Sequence, residues 1–119
     1  IGFDRDGAFS SYIALPASCV WVNDPELPFE LASVQEPLGN AMHAAAAFPL
    51  AGQSVAILGC GPIGLFAVAI AKAHGARQVI AVDVNDYRLS IAKSMGAVTV
   101  KQGVFNDASE REEEDRRVI

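Results

Sequence analysis

The stretch from Ser54 to Val84 restricts the possible folds of this chain more than any other part of it. It opens with Val55 to Leu58, an uncharged apolar run typical of a strand buried on both faces of a sheet. Three glycines at G-x-G-x-x-G spacing come next, and an alanine-rich helical segment then runs from about Ile63 to His74. A second apolar run, Val79 to Val82, leads directly into Asp83. This order predicts a β-α-β unit with a glycine turn at its first junction.

Each glycine of the turn has a separate mechanical role. Gly59 lets the chain leave the strand sharply, Gly61 removes a side chain that would keep a pyrophosphate from the backbone, and Gly64 lets the helix pack close to the sheet. The helix directs its unpaired N–H groups, at the positive end of its dipole, toward the phosphates. Pro62 suits the first helical turn because its missing N–H is not needed there. We therefore interpret the turn as the phosphate-binding part of a dinucleotide site.

Asp83 extends this interpretation from the phosphates to the sugar. It ends the second predicted strand about twenty residues after the last glycine of the turn, where a carboxylate can accept hydrogen bonds from an adenosine ribose. Its negative charge would repel a 2′-phosphate, so the sequence predicts NAD rather than NADP. A glycine-rich turn that merely joins buried elements is the alternative, but it leaves Asp83 without a purpose.

The composition excludes several classes of partner. The chain has 119 residues, 51% hydrophobic and 19% charged, which predicts a small globular domain with a core. Its net charge of −5 argues against nucleic acid or an anionic membrane as a partner, since neither would attract it. Residues 55–71 are uncharged, but glycines and Pro62 interrupt them where a membrane-spanning helix would have to continue.

The two cysteines indicate neither a metal site nor a disulfide framework. Cys19 and Cys60 lie far apart in the sequence, so we expect a reducing, cytoplasmic setting, with Cys60 a small filler inside the glycine turn. The opening residues, Ile1 to Asp6, lack the basic start and apolar core of a signal peptide. They also lack an initial methionine, which suggests a fragment of a longer protein.

The first fifty residues contain weaker signals. Ala8 to Leu15 and Val20 to Val22 are predicted strands, and Glu30 to Gln35 is a predicted helical turn. A helix is predicted from Leu38 to Phe48, with Pro37 as its first residue and the Glu36 carboxylate projecting off its end.

Gly39 and Asn40 are poor choices for the first turn of that helix. A glycine in a helix interior costs about 0.8–1 kcal/mol relative to alanine. Its presence suggests that something approaches the backbone closely at this point. His43 is expected to be a packed or partly exposed side chain rather than a ligand.

The segments after Asp83 complete the predicted fold. Asp86 to Met95 reads as a helix and Val98 to Val100 as a third strand, so residues 51–103 form the first half of a Rossmann fold, a doubly wound parallel α/β sheet. The acidic tail, residues 104–119, is expected to be a frayed helix or disordered. The open sheet edge after the third strand favours self-association into a homo-oligomer.

Four segments of the chain carry a family resemblance: Ala8–Tyr12, Leu15–Ala17, Glu36–His43 and Asp83–Leu89. They resemble the medium-chain, zinc-dependent alcohol dehydrogenases, and the resemblance extends from about residue 5 to residue 103. Glu36–His43 and Asp83–Leu89 are similar to the members that oxidise threonine, with polyol dehydrogenases as near relatives. The resemblance implies a small-molecule alcohol as substrate, with hydride passing to NAD while zinc polarises the alkoxide. It also implies that residues 1–50 are the end of a GroES-like catalytic domain and a linker helix.

The resemblance assigns roles to individual residues. It places Gly59 to Gly64, including Pro62 and Ile63, at the pyrophosphate turn, Asp83 at the ribose and Arg88 beside the adenosine. It places Glu36 beside the catalytic zinc, in proton relay or as an occasional ligand. Two simpler interpretations stay open: Arg88 as a solvated helix residue, and Glu36 as an acidic group favoured by the helix dipole, worth about 0.3–1 kcal/mol.

The departures from the family pattern concern the metal. The family's cysteine and Gly-His-Glu zinc ligands lie upstream of Ile1, and Glu36 alone cannot hold an ion that takes about four ligands. The second half of the sheet would follow residue 103. We therefore expect the 119-residue chain to bind the nucleotide weakly and to catalyse nothing, and a truncated, non-catalytic nucleotide-binding or interaction module is the alternative.

Overall fold

The computed structural model describes residues 2–103 as two units, divided between Ser33 and Val34. The first unit contains a 3-10 turn and one short helix, and the second contains an alternating series of helices and strands. The helices are α1 (Phe29–Ala32), α2 (Gln35–Ala45), α3 (Pro62–Ala73) and α4 (Asp86–Ser94), and the strands are β1 (Ser54–Leu58), β2 (Gln78–Asp83) and β3 (Val98–Lys101). The predicted domain boundary at residue 50 stays a prediction.

The three strands form one parallel sheet in the order β1-β2-β3. Ile57 lies opposite Ala81 in the register of β1 and β2, and Ala81 lies opposite Thr99 in the register of β2 and β3. Parallel neighbours require crossover connections, which α3 and α4 supply. The prediction of an α/β fold built as part of a Rossmann sheet is confirmed.

The core lies between the sheet and these crossover helices. Most of its members are small or β-branched, which lets the helices approach the sheet closely. Those in α3, β2 and α4 are Val68, Ala71, Val79, Ala81, Leu89 and Ala92. Val79 and Ala81 alternate along β2, the central strand, and therefore lie on the same face of the sheet. Two right-handed crossovers in the same direction place both helices on the same face of a sheet, so the core forms on that face.

β1 differs from the strand that was expected there. Its alternate residues Val55 and Ile57 pack against the core, whereas Leu58 is 82% exposed. The prediction of a strand buried on both faces is therefore wrong for the described residues, because only one face of β1 packs against the core.

The two predicted N-terminal strands are also wrong. Residues 8–15 and 20–22 form neither strands nor bridges, and Phe9, Tyr12 and Trp21 are exposed. A strand gains its stability from hydrogen bonds and packing with a neighbouring strand, and residues 2–103 supply no such neighbour to these segments.

The helix predictions are confirmed with shifts at their ends. The predicted turn at residues 30–35 forms as α1, and α2 begins two residues before Pro37 and ends at Ala45 instead of Phe48. Pro37 is tolerated as the third residue because the first four N–H groups of a helix have no partner within it. In the described residues, no helix is long and apolar enough to cross a membrane. The acidic tail falls outside them.

Candidate dinucleotide-binding site

The glycine turn lies between the carboxyl end of β1 and the first residue of α3. Gly59 has a φ of +94°, a backbone conformation that residues with a side chain rarely adopt. Its N–H donates to the Val82 carbonyl oxygen at 2.8 Å. Gly61 is the N-cap of α3, and Pro62 is its first residue. The turn therefore reverses the chain immediately above the sheet and aims the start of α3 at the space beyond β1.

Gly64 is required by close packing rather than by backbone conformation. A Cβ at this position would overlap the Gly59 carbonyl oxygen and lie 2.9 Å from the carbonyl carbon. Because that carbonyl belongs to the backbone of the turn, it cannot rotate away as a side chain would. The first turn of α3 can approach β1 this closely only with glycine at residue 64.

The outer side of the turn is open. A Cβ built at Gly59 or Gly61 would meet no atom within 4 Å. A cleft of about 360 Å³ adjoins it, and α2, α3 and the end of β1 supply its walls. Ile63, at the start of α3, is half exposed on this side. These features fit a bound diphosphate, because the backbone N–H groups at a helix start are available to an anion that can reach them.

The Asp83 carboxylate is bound directly to the glycine turn. Its Oδ2 accepts the Cys60 N–H at 2.6 Å, and its Oδ1 accepts the Asn85 N–H at 2.8 Å. Only 5% of the side chain is exposed. These two backbone donors are the main cause that lowers the pKa of Asp83 below its ordinary value; Arg88 adds to this effect and burial opposes it. The carboxylate is therefore ionised at neutral pH.

Arg88 lies beside this carboxylate at the start of α4. Its Nη1 is 3.9 Å from Asp83 Oδ2, and its side chain is 52% exposed. Asn85 is the N-cap of the same helix, and its Oδ1 accepts the Arg88 N–H at 3.1 Å. The structure thus brings together the glycine turn, Asp83 and Arg88, which the sequence had proposed as one site.

Two partners in this site escaped the sequence interpretation. The Cys60 N–H is a partner of Asp83, although 23 residues separate them in the chain. Asn85 carried a readable signal, since an asparagine just before a helix is a common N-cap.

The Cys60 thiol itself is a buried filler, as predicted. It is fully buried, and its Sγ lies 3.7 Å from the Val82 carbonyl oxygen. Burial raises the pKa of the Cys60 thiol, and the Asp83 carboxylate raises it further, while Arg88 opposes both. The thiol is therefore protonated at neutral pH and is a poor nucleophile.

Glu36 does not have the orientation expected from the sequence. It is the second residue of α2, and its Oε1 accepts a hydrogen bond from the Asn40 Nδ2 at 2.6 Å. The carboxylate therefore lies along the helix surface instead of projecting off its end, because residues four apart are neighbours on a helix. Within residues 2–103, the structure joins Glu36 to Asn40 and not to the glycine turn.

Other residues of α2 border the site. Ala41 and Ala44 line the cleft beside the turn. Gly39 is exposed, and a Cβ there would meet nothing within 4 Å, so no part of the described chain approaches its backbone. His43 is exposed as well.

The described residues do not fit a zinc ion. No group of three or more histidine, cysteine, aspartate or glutamate side chains in residues 2–103 lies close enough together to hold a metal. A tetrahedral zinc site requires about four such ligands. The described residues alone therefore supply too few ligands for a zinc ion.

Comparisons with known proteins agree with this geometry. Residues 62–114 match the family model of the zinc-binding dehydrogenases. An L-threonine 3-dehydrogenase of Bacillus licheniformis is 54% identical over 100 residues, which are 84% of this chain and 29% of that protein. The chain thus spans less than a third of the length of this curated relative.

Solved structures show the same fold. Galactitol-1-phosphate dehydrogenase of Escherichia coli superposes with a TM-score of 0.74 at 32% identity, covering 99% of this chain and 34% of that one. A structure from Sinorhizobium meliloti 1021, described as a zinc-binding dehydrogenase bound to NADP, has a TM-score of 0.53 at 37% identity. It covers 55% of this chain and 20% of that one. The chain belongs to the zinc-binding dehydrogenase family.

Proposed function

We propose that this chain is the dinucleotide-binding segment of a dehydrogenase and that it receives NAD at the glycine turn. The observation that carries the proposal is the position of the Asp83 carboxylate, which is hydrogen-bonded to the turn itself. An acidic group at this point can accept hydrogen bonds from the ribose while the start of the helix binds the diphosphate.

The described residues divide the binding between them. The N–H groups of Gly61, Ile63 and Gly64, at the start of α3, would bind the diphosphate. Asp83 would accept hydrogen bonds from the ribose hydroxyls through the lone pairs that its two backbone donors leave free. Arg88 would lie beside the adenosine. Bound NAD supplies the acceptor for a hydride, and the role of this chain is to hold and orient it.

The ionised state of Asp83 supports NAD over NADP. A 2′-phosphate would lie next to a carboxylate whose lowered pKa keeps it charged, and like charges brought together are unfavourable. NADP is the second candidate, because the Sinorhizobium relative binds it and because the half-exposed Arg88 offers a cation near the same position.

A titration of the 119-residue chain with both dinucleotides tests the choice. We expect NAD to bind at least about tenfold more tightly than NADP. Asp83→Ala should bring the two affinities close to each other. Asp86→Ala is the matched control, since it deletes an exposed carboxylate three residues away. Equal or tighter binding of NADP by the unaltered chain contradicts the proposal, as does a ratio that Asp83→Ala leaves unchanged.

For the full-length enzyme we propose threonine as the substrate, with NAD as the oxidant of its secondary alcohol. Support comes from the 54% identity to an L-threonine 3-dehydrogenase. A polyol substrate is the alternative, which the likeness to galactitol-1-phosphate dehydrogenase favours. Comparing the turnover of threonine and of a polyol by the full-length protein separates them.

The 119-residue chain alone should lack activity even with added zinc, because its described residues offer no metal site. Threonine-dependent NADH production by the chain contradicts this expectation. The DNA upstream of Ile1 separates a piece of an enzyme from a truncated nucleotide-binding module. An in-frame cysteine and Gly-His-Glu segment would favour the enzyme.

We also propose that the chain self-associates through an outer edge of its sheet. β3 is short and ends in Lys101, and both features discourage pairing with another chain, whereas the five residues of β1 carry no charge. β1 is therefore the stronger candidate. Ala56→Lys should lower the dimer fraction measured by light scattering, and Val100→Lys should not; the reverse result assigns the contact to β3.

A further inference from the structure

We propose that Asp83 is a positioning residue for the glycine turn, whose carboxylate holds the turn in the shape that receives a diphosphate. This role is separate from any contact with the ribose, and it rests on the proposed dinucleotide function. Both carboxylate oxygens already bind N–H groups of the protein backbone.

Asp83 forms its two shortest hydrogen bonds with the protein backbone. Oδ2 accepts the Cys60 N–H, in the middle of the turn, at 2.6 Å, and Oδ1 accepts the Asn85 N–H at 2.8 Å. The side chain is nearly inaccessible to solvent, with 5% exposed. A carboxylate needed only for a soluble ligand would be expected to be more exposed. Here most of its hydrogen-bonding capacity is directed at the chain itself.

These bonds connect two loops that lie next to each other at the carboxyl edge of the sheet. The β1–α3 turn is held by the bond from the Cys60 N–H to Asp83 and by the bond from the Gly59 N–H to the Val82 carbonyl oxygen. The β2–α4 loop is held by the bond from the Asn85 N–H to Asp83, and the Asn85 side chain then caps α4. Asp83 is the one side chain that bonds to both loops among the described residues.

The bond to Cys60 also determines which donors are left for a phosphate. Because the Cys60 N–H donates to Asp83 at the end of β2, that amide is already occupied and is not available to a phosphate. The N–H groups of Gly61, Ile63 and Gly64 stand at the start of α3, where the first N–H groups of a helix have no partner within it. Loss of the carboxylate would free the Cys60 amide and allow the turn to adopt other conformations, so a smaller fraction of molecules would be ready to bind.

The test compares two ligands in the 119-residue chain: ADP and 2′,3′-dideoxy-ADP, which has the same diphosphate but lacks both ribose hydroxyls. Asp83→Asn keeps the size of the side chain and removes its charge. We expect it to weaken the binding of dideoxy-ADP by about tenfold or more, as expected for hydrogen bonds to a charged group. The binding of ADP should weaken by at least the same factor, because ADP also loses the proposed contact between Asp83 and its ribose. Asp86→Asn makes the same change of charge on an exposed carboxylate and should alter neither affinity.

The outcomes separate the possible failures. If Asp83→Asn weakens ADP and leaves dideoxy-ADP unchanged, Asp83 serves the ribose and the positioning role is wrong. If the unaltered chain binds neither ligand, the proposed dinucleotide function is wrong, and the positioning role that rests on it is wrong as well.

Residue-resolved hydrogen exchange distinguishes a local effect from general unfolding. In Asp83→Asn, the Cys60 and Asn85 amides should exchange at least about tenfold faster, while the amide of Ala81, in the middle of β2, keeps its protection. Faster exchange at Ala81 by the same factor would attribute the loss of binding to global instability and overturn the proposal. Unchanged exchange at Cys60 would overturn it equally.

Discussion

In residues 2–33, Phe9, Tyr12 and Trp21 are almost fully exposed, whereas Val68 and Val79 in the second unit are buried almost completely. Both the first unit and the second unit carry large apolar side chains at spacings that suggest regular structure. They differ in the neighbours that the chain supplies. α3 and α4 lie over β2 and remove its apolar face from water, and no described helix or strand does this for residues 8–22.

The difference shows that an apolar pattern is a necessary condition for a strand but not a sufficient one. β2 lies between two partners and forms hydrogen bonds along both of its edges. The segments around Tyr12 and Trp21 have neither hydrogen-bonded neighbours nor a packed face in residues 2–103, so the conformational entropy of ordering them is not offset. Substitutions should therefore have large effects in the second unit and small effects in the first.

The largest effect is expected from Gly64→Ala. The new Cβ overlaps the Gly59 carbonyl oxygen, so α3 must move away from β1 or the turn must rearrange. We expect a loss of about 3 kcal/mol or more in the free energy of unfolding, measured by urea denaturation. Gly39→Ala, where a Cβ meets open space within α2, should instead stabilise the chain by about 0.5–1 kcal/mol. Equal effects of the two substitutions would contradict the close packing of α3 on the turn.

Val68→Ala should have the next largest effect. Val68 is fully buried on α3 and belongs to the core that covers the sheet. The lost burial and the cavity that remains should together cost about 2 kcal/mol. The same urea denaturation measures it, and a change under about 0.5 kcal/mol would indicate a surface position, not a core one.

The elements that the sequence predicted best are those specified by local signals. The Gly59 turn and Pro62 at the start of α3 are set by backbone conformation within a few residues. Their positions could therefore be read without knowledge of the rest of the fold. The predicted strands around Tyr12 and Trp21 needed a partner that the local sequence does not reveal.

The candidate site shows the same division. The sequence placed Asp83 near the glycine turn but gave no indication that its carboxylate binds the Cys60 N–H, because this bond depends on the register of β1 and β2. It also misjudged the direction of the Glu36 carboxylate. A hydrogen bond to Asn40 on the next turn of α2 sets the direction of this carboxylate. The predicted start of the helix does not determine it.

The third prediction concerns the pH dependence of stability. Two backbone donors hold the pKa of Asp83 below its ordinary value in the folded chain, so the folded state binds this proton less readily than the unfolded state. The stability that the carboxylate contributes is therefore fully present above the ordinary pKa of about 4. It is lost as the pH falls through the lower pKa of the folded chain.

Melting temperatures measured from neutral pH to about pH 2 test this expectation in three forms of the chain. The unaltered chain and Asp86→Asn should lose stability more steeply below about pH 4 than Asp83→Asn. Three parallel curves would show that Asp83 makes no net contribution through its charge.

The smallest effect is expected in the first unit. Trp21 is the only tryptophan of the chain and is 87% exposed, so Trp21→Ala should change the free energy of unfolding by less than about 0.5 kcal/mol. For the same reason, the emission maximum of Trp21 should stay constant through the urea transition that circular dichroism reports for the second unit. A maximum that shifts to longer wavelength in that transition would show that Trp21 is covered in the folded state. If that shift depends on protein concentration, a second copy of the chain supplies the cover, and the exposed aromatic residues of the first unit join the outer edge of β1 as candidate contacts for self-association.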